Sequence, residues 1–242
     1  PHAYPYDLKA GDINEVRRLI DQYEMPVYGY TPEHNAYPFN YMIGSEAQRE
    51  DAVAYLKTAI DMAKEMGSDF VLTSPANGGY LATYGELWTR LEKTIRELGD
   101  YAAKKEIHLV VEALTPYESN FFTRANDLVE LFRRVDNPYV VGMCDVVPPF
   151  VQHESIMAYF DKLGSKMHHM HIIDGEQGTD SHIIPGEGSM PMKEMLYELK
   201  RVNYHGTATL ELVTGYINEP RMYAKRAVDN VRSLMAEAGW QE

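Results

Sequence analysis

The stretch His108-Leu-Val-Val-Glu-Ala-Leu114 is an apolar run interrupted near its end by one acid. A strand apolar on both faces belongs to a parallel sheet covered by helices. The pattern recurs downstream. Val140-Val-Gly-Met-Cys-Asp145 ends on an acid, Met167-His-His-Met-His-Ile-Ile173 contains His171, and Thr207-Ala-Thr-Leu-Glu-Leu-Val213 contains Glu211. Upstream, Val27–Tyr30 and Phe70–Thr73 also read as strands, which makes six.

Helical periodicity fills the intervals. Ile13, Val16, Leu19 and Ile20 share one face of a helix that stops before Pro26. Ser45 is placed to cap a helix whose stripe is Val53, Leu56, Ile60 and Ala63, with Gly67 as its stop. Leu87, Leu91, Ile95, Leu98 and Ala102 repeat at the same spacing, and further helices are expected at 126–135, 155–163, 192–202 and 219–238. Alternating strands and helices imply an α/β fold with a parallel sheet. No G-x-G-x-x-G follows a strand, which disfavours a dinucleotide fold. Open doubly wound sheets and closed barrels both qualify, and the placement of polar residues at the strand ends favours a (β/α)8 TIM barrel. Since such a barrel has eight strands, the opening β-α-β, roughly 35–40 residues by the spacing of the other units, is expected to be absent from this chain. Without a linker or composition shift, residues 1–242 read as a single TIM-barrel domain.

Composition narrows the function. Of 242 residues, 45% are hydrophobic and 24% charged, a balance that supports a full core. No apolar run of about 18 residues offers a membrane span, and Pro1–Ala10 has no signal-peptide pattern. One cysteine, Cys144, rules out an intrachain disulfide and fits a cytoplasmic location. The net charge of -13 repels phosphate backbones, so nucleic acid is not the expected partner. The eighteen tyrosines and nine histidines suit either core packing or a site that grips a polar small molecule.

Glu112, Asp145, His171 and Glu211 stand at the ends of four successive strands. In a parallel barrel that rim holds the active site, and inward-pointing side chains there converge. A lone Glu at a strand end is more often a solvated loop residue, and a lone His more often a hydrogen-bonded core residue. Four in succession are harder to explain in that way. Three carboxylates massed together repel one another, and a divalent cation resolves the repulsion. An oxygen-rich set with one imidazole suits Mn²⁺, Co²⁺, Ni²⁺ or Mg²⁺ better than a thiolate zinc cage does. His169 shares the strand parity of His171 but lies deeper, which suits a structural role, and His168 faces the opposite way, toward the helices.

Several segments carry a likeness: Pro1-His-Ala, Asp7-Leu-Lys-Ala-Gly, Gly29-Tyr-Thr-Pro-Glu, Asp61-Met-Ala-Lys-Glu-Met, Leu114-Thr-Pro-Tyr-Glu-Ser-Asn, Tyr159-Phe-Asp-Lys-Leu-Gly, Ile184-Pro-Gly-Glu-Gly, and Glu211-Leu-Val through Asn218-Glu-Pro-Arg. On these the chain resembles the sugar isomerase/epimerase superfamily with a xylose-isomerase-like barrel. The resemblance implies a metal set of Glu112, Asp145, His171 and Glu211, with Glu112 and Glu211 as the two catalytic bases. It also implies that Glu118, six residues after the first metal Glu, binds substrate. The family often has an Arg before its Pro-Gly loop, where this chain has His182, and a His three residues after the metal Asp, where this chain has Pro148. These departures point away from a free ketohexose. A homo-oligomer is implied by the resemblance alone.

The expected chemistry is epimerisation at C3 of a fructosamine-type ketose through an enediolate, with Glu118 and His182 orienting hydroxyls. The alternatives are a ketose 3-epimerase, an aldose–ketose isomerase or an inosose dehydratase on another small sugar, and a non-catalytic sugar-binding barrel. An abasic-site endonuclease shares the barrel but normally has more metal ligands and a basic groove. The loops 31–40, 74–80 and 115–120 are expected at the mouth. There Tyr30, Tyr37 and Tyr41 either face substrate or pack against a neighbouring subunit.

Overall fold

In the computed structural model, which describes residues 4–241, helices and strands alternate along the chain. The motif Pro1-His-Ala lies outside the described residues. The chain forms two compact units, one ending at Gly142 and the other beginning at Met143.

The first unit opens with α1 (Pro5–Asp7) and a π-helical turn at Leu8–Asp12, which lead into α2 (Ile13–Tyr23). There follow β1 (Gly29–Tyr30), α3 (Glu46–Met66), β2 (Phe70–Thr73), α4 (Tyr84–Lys105), β3 (His108–Val111) and α5 (Ala125–Val135). Then β4 (Val140–Asp145) runs out of this unit and into the next. β1 to β4 pair in parallel in chain order, with Phe70 opposite His108 and Leu109 opposite Val140.

Local chemistry sets the long helices. Ser45 accepts the Gln48 N–H while Gln48 returns a bond to the Ser45 N–H, and Thr83 and Glu86 repeat this capping box on α4. Gly67 ends α3 at φ 75°, where a side chain would be strained. The predicted stripes of α3 and α4 are buried, as are Val71, Leu109, Val110 and Val111 of the sheet. Helices cover strands that are apolar on both faces.

The second unit holds α6 (Val147–Val151), α7 (Met157–Leu163), β5 (Met167–His171), α8 (Met192–Arg201), β6 (Thr207–Thr209) and α9 (Pro220–Glu237). β5 and β6 are parallel, with His169 opposite Thr207 and His171 opposite Thr209. Met170, Ile173, Leu196 and Leu199 form its core, with Val231 and Leu234 of α9 packed against them.

The six expected strands are present among the described residues, several shorter than their apolar runs. β3 stops at Val111 rather than Leu114. The Glu112 N–H still reaches the Thr73 carbonyl at 3.0 Å, but the Leu114 N–H turns to Phe122 at 3.2 Å. β6 ends at Thr209, four residues before Val213, so Glu211 sits on the loop just beyond it. α6, which contains Pro148 and Pro149, was not among the expected helices. Both prolines occupy the first turn, where an amide N–H has no helical partner to lose.

Candidate active site

Asp145 closes β4 with its side chain buried. Its Oδ1 accepts the Val147 N–H at 2.7 Å, which fixes the carboxylate plane. Its Oδ2 faces two imidazoles, His171 Nδ1 at 3.4 Å and His182 Nε2 at 3.3 Å. Burial opposes ionisation of Asp145, but these two rings hold its carboxyl well below the usual carboxylate range.

His171 is the last residue of β5, and its Nδ1 also lies 2.9 Å from Glu211 Oε2. Glu211 is more open, with 39% of its side chain exposed. Asp145, His171 and Glu211 thus offer three ligand atoms within 4.8 Å of one another. Metal bonds of about 2.1 Å, at octahedral or tetrahedral angles, place neighbouring ligand atoms about 3.0–3.4 Å apart. The His171 separations of 2.9 and 3.4 Å match that spacing. The donor set, two carboxylates and an imidazole, fits a hard or borderline divalent cation.

His182 comes from the long loop after β5 and joins the same cluster. Besides Asp145 it lies 3.5 Å from Glu211 Oε2, and its Nδ1 faces Asp180 Oδ1 at 3.9 Å. Burial alone lowers an imidazole pKa, but here Asp145, Glu211 and Asp180 push it up to about 9. His169 behaves as the deeper histidine of the strand. Its two ring nitrogens engage Thr207 Oγ1 at 2.7 Å and Thr209 Oγ1 at 3.0 Å, locking β5 to β6. Burial, with His171 and His168 nearby, lowers its pKa to about 3 and keeps it neutral.

Glu112 and Glu118 belong to the first unit. Glu112 follows β3 directly and is buried. Glu118 sits in a turn of the next loop, its Oε2 accepting from Thr115 Oγ1 at 3.0 Å and from the Thr115 N–H at 3.3 Å. The three mouth loops are tied together in this unit. Asn120 bonds Gly78 and Gly79, Asn40 donates to the Asn77 carbonyl, and Ser74 donates to Asn35 Oδ1. The expectation for the tyrosines needs correction. Tyr30 and Tyr41 are buried, the latter taking a bond from Thr73 Oγ1 at 3.3 Å, so neither is free to meet substrate or a neighbour. Only Tyr37 of the three is exposed.

Sequence reasoning passed over Asp174. It is buried three residues beyond His171 and accepts four backbone N–H groups from the loop that carries His182. The available signal was Pro185-Gly-Glu-Gly188, a loop with glycines where backbone must approach something closely.

Parallel strands with acids and a histidine at or just beyond their carboxyl ends place this cluster where barrel enzymes build their active sites. The chain belongs to the xylose isomerase-like TIM barrel family, whose model matches residues 1–234. It is 46% identical over 237 residues to a fructoselysine 3-epimerase of Shigella flexneri, covering 98% of this chain and 86% of that protein. It is 45% identical to the fructoselysine 3-epimerase of Escherichia coli O157:H7 over the same shares. These likenesses place it among the epimerases, a class of isomerase. A D-psicose 3-epimerase from Clostridium cellulolyticum H10, solved with D-tagatose, shares the fold at a TM-score of 0.77 and 18% identity, covering 97% of this chain and 88% of its own. No helix among the described residues is long and apolar enough to cross a membrane.

Proposed function

We propose that this protein interconverts fructoselysine and its C3 epimer, psicoselysine, by proton transfer through an enediolate. Glu112, Asp145, His171 and Glu211 would together hold one divalent cation, Mn²⁺, Co²⁺, Ni²⁺ or Mg²⁺. The observation that carries this reading is the convergence of Asp145, His171 and Glu211 at ligand spacing. The 46% identity to a fructoselysine 3-epimerase supports the substrate.

The α-hydrogen at C3 is a weak acid, so its removal needs both a base and stabilisation of the charge that develops. A bound divalent ion supplies the electrophile that polarises the ketone. Inverting C3 takes one base on each face of the carbon. Glu112 and Glu211 fill these roles, one taking the proton and the other returning a proton to the opposite face. Asp145, pinned by the Val147 N–H, and His171, fixed at the end of β5, are rigid ligands rather than proton carriers. Glu118 and His182 orient hydroxyls.

The test is metal-loaded protein in D2O with fructoselysine and, separately, free ketohexoses, followed by NMR. Deuterium entering C3 together with psicoselysine is the expected result. Deuterium at C1 would indicate an aldose–ketose isomerase, loss of water an inosose dehydratase-type reaction, and binding without exchange a sugar-binding barrel. C3 exchange only on a free ketohexose would keep the epimerase and replace its substrate.

A further inference from the structure

Asp174 organises the loop between β5 and α8. Its Oδ1 accepts the N–H groups of Gly175 at 2.8 Å and Met190 at 3.0 Å, and its Oδ2 those of Gly186 at 2.9 Å and Gly188 at 3.0 Å. Its own backbone exchanges two bonds, each 2.9 Å, with Ile183, the residue beside His182. Gly188 makes the close approach possible, because a Cβ there would overlap the Asp174 carboxylate. Outside this cradle, Tyr216 Oη accepts the Ile184 N–H at 3.1 Å and Asn230 donates to the Pro185 carbonyl at 3.0 Å. The residues immediately after His182 are thus held from three sides, with Asp174 at the centre.

We propose that Asp174 is a positioning residue for the reaction, setting His182 against Asp145 and Glu211 by gathering its loop around one carboxylate. This rests on the reading above, in which His182 touches substrate. An ionised carboxylate has about four acceptor sites and no donor, which matches four converging N–H groups. An asparagine has the same shape but turns an NH2 toward two of those N–H groups whichever way it flips, so Asp174→Asn loosens the loop without emptying the space. Gly188→Ala disturbs the same cradle from the loop side.

Two measurements decide the proposal. The first is a double-mutant cycle on C3 exchange with Asp174→Asn and His182→Ala. Asp174→Asn alone is expected to lower kcat/KM roughly 10- to 100-fold, the size seen when support of a site residue is lost. In the His182→Ala background it is expected to add less than about twofold, because coupled residues are not additive. Multiplied losses, or no loss from Asp174→Asn, overturn the proposal. The second is the ring signal of His182 in NMR spectra of histidine-labelled protein, assigned by its disappearance in His182→Ala. It is expected to move in Asp174→Asn and in Gly188→Ala while the His34 signal stays in place. An unmoved His182 signal in both variants overturns the proposal. If the wild-type protein exchanges C3 of no sugar, the proposed function fails, and the ring signal still decides what Asp174 positions.

Discussion

Glu211 and Asp145 are both carboxylates of one cluster, but their surroundings differ. Asp145 keeps 4% of its side chain exposed and Glu211 keeps 39%. In the proposed mechanism Asp145 only fixes the ion, which suits its closed position, while Glu211 also exchanges a proton and stands where substrate reaches it. Glu211→Gln preserves the shape and removes the base. It is expected to lower C3 exchange by about 10²- to 10⁴-fold, the range for loss of general acid–base catalysis, with a thermal midpoint close to wild type when both proteins are metal-free. Asp145→Asn is expected to do more. It leaves His171 and His182 facing a buried amide, and such a loss of one partner costs folding stability as well as function. Measuring exchange, bound metal per chain and thermal midpoint together separates the two substitutions. Equal behaviour in all three would contradict the division of roles.

At the scale of elements, α3 rests on its capping box and its buried stripe. Ser45→Ala removes the bond to the Gln48 N–H and is expected to cost about 0.5–2 kcal/mol in urea unfolding. Thr58→Ala, on the same helix but bonded only to the Ala54 carbonyl at an exposed position, is expected to stay within about 0.5 kcal/mol. If Ser45→Ala were as mild as Thr58→Ala, the cap would contribute nothing to the helix end. The cap, the stripe and the Gly67 stop were readable in the sequence because each depends on neighbours within four residues. The same holds for the apolar strands and for the parity that puts His169 and His171 on one face of β5. Strand ends were less readable, since the last ladder bond of β3 depends on where Phe122 places its carbonyl. The cradle of Asp174 was hidden for the same reason. Its four bonds join residues up to 16 apart in the chain, through a loop with no periodicity. Asp145 and His171 could be picked out as candidates because they terminate legible strands, whereas Asp174, which gathers the loop of His182, terminates none.

For the whole molecule, metal removal and unfolding are one experiment. Asp145 and Glu211 gathered around His171, in a chain of net charge -13, carry self-repulsion that a divalent cation offsets. A ligand bound only by the folded state stabilises it by mass action, about 2.7 kcal/mol at a hundredfold excess over its Kd. For a chain of this length that corresponds to a rise of about 5–10 °C in thermal midpoint. Exhaustive chelation is therefore expected to abolish C3 exchange and to lower the midpoint by that amount, and added Mn²⁺ or Co²⁺ is expected to restore both. The same calorimetric trace tests whether the chain is a single domain, which predicts one transition that moves as a whole with metal. Two transitions, of which metal shifts only the one reporting Met143–Glu242, would mean that Asp145, His171 and Glu211 bind the ion without Glu112. Chelation that leaves exchange and midpoint unchanged would remove the cation from the mechanism, leaving Glu112 and Glu211 to act without a bound ion to offset the charge developing on the ketone oxygen.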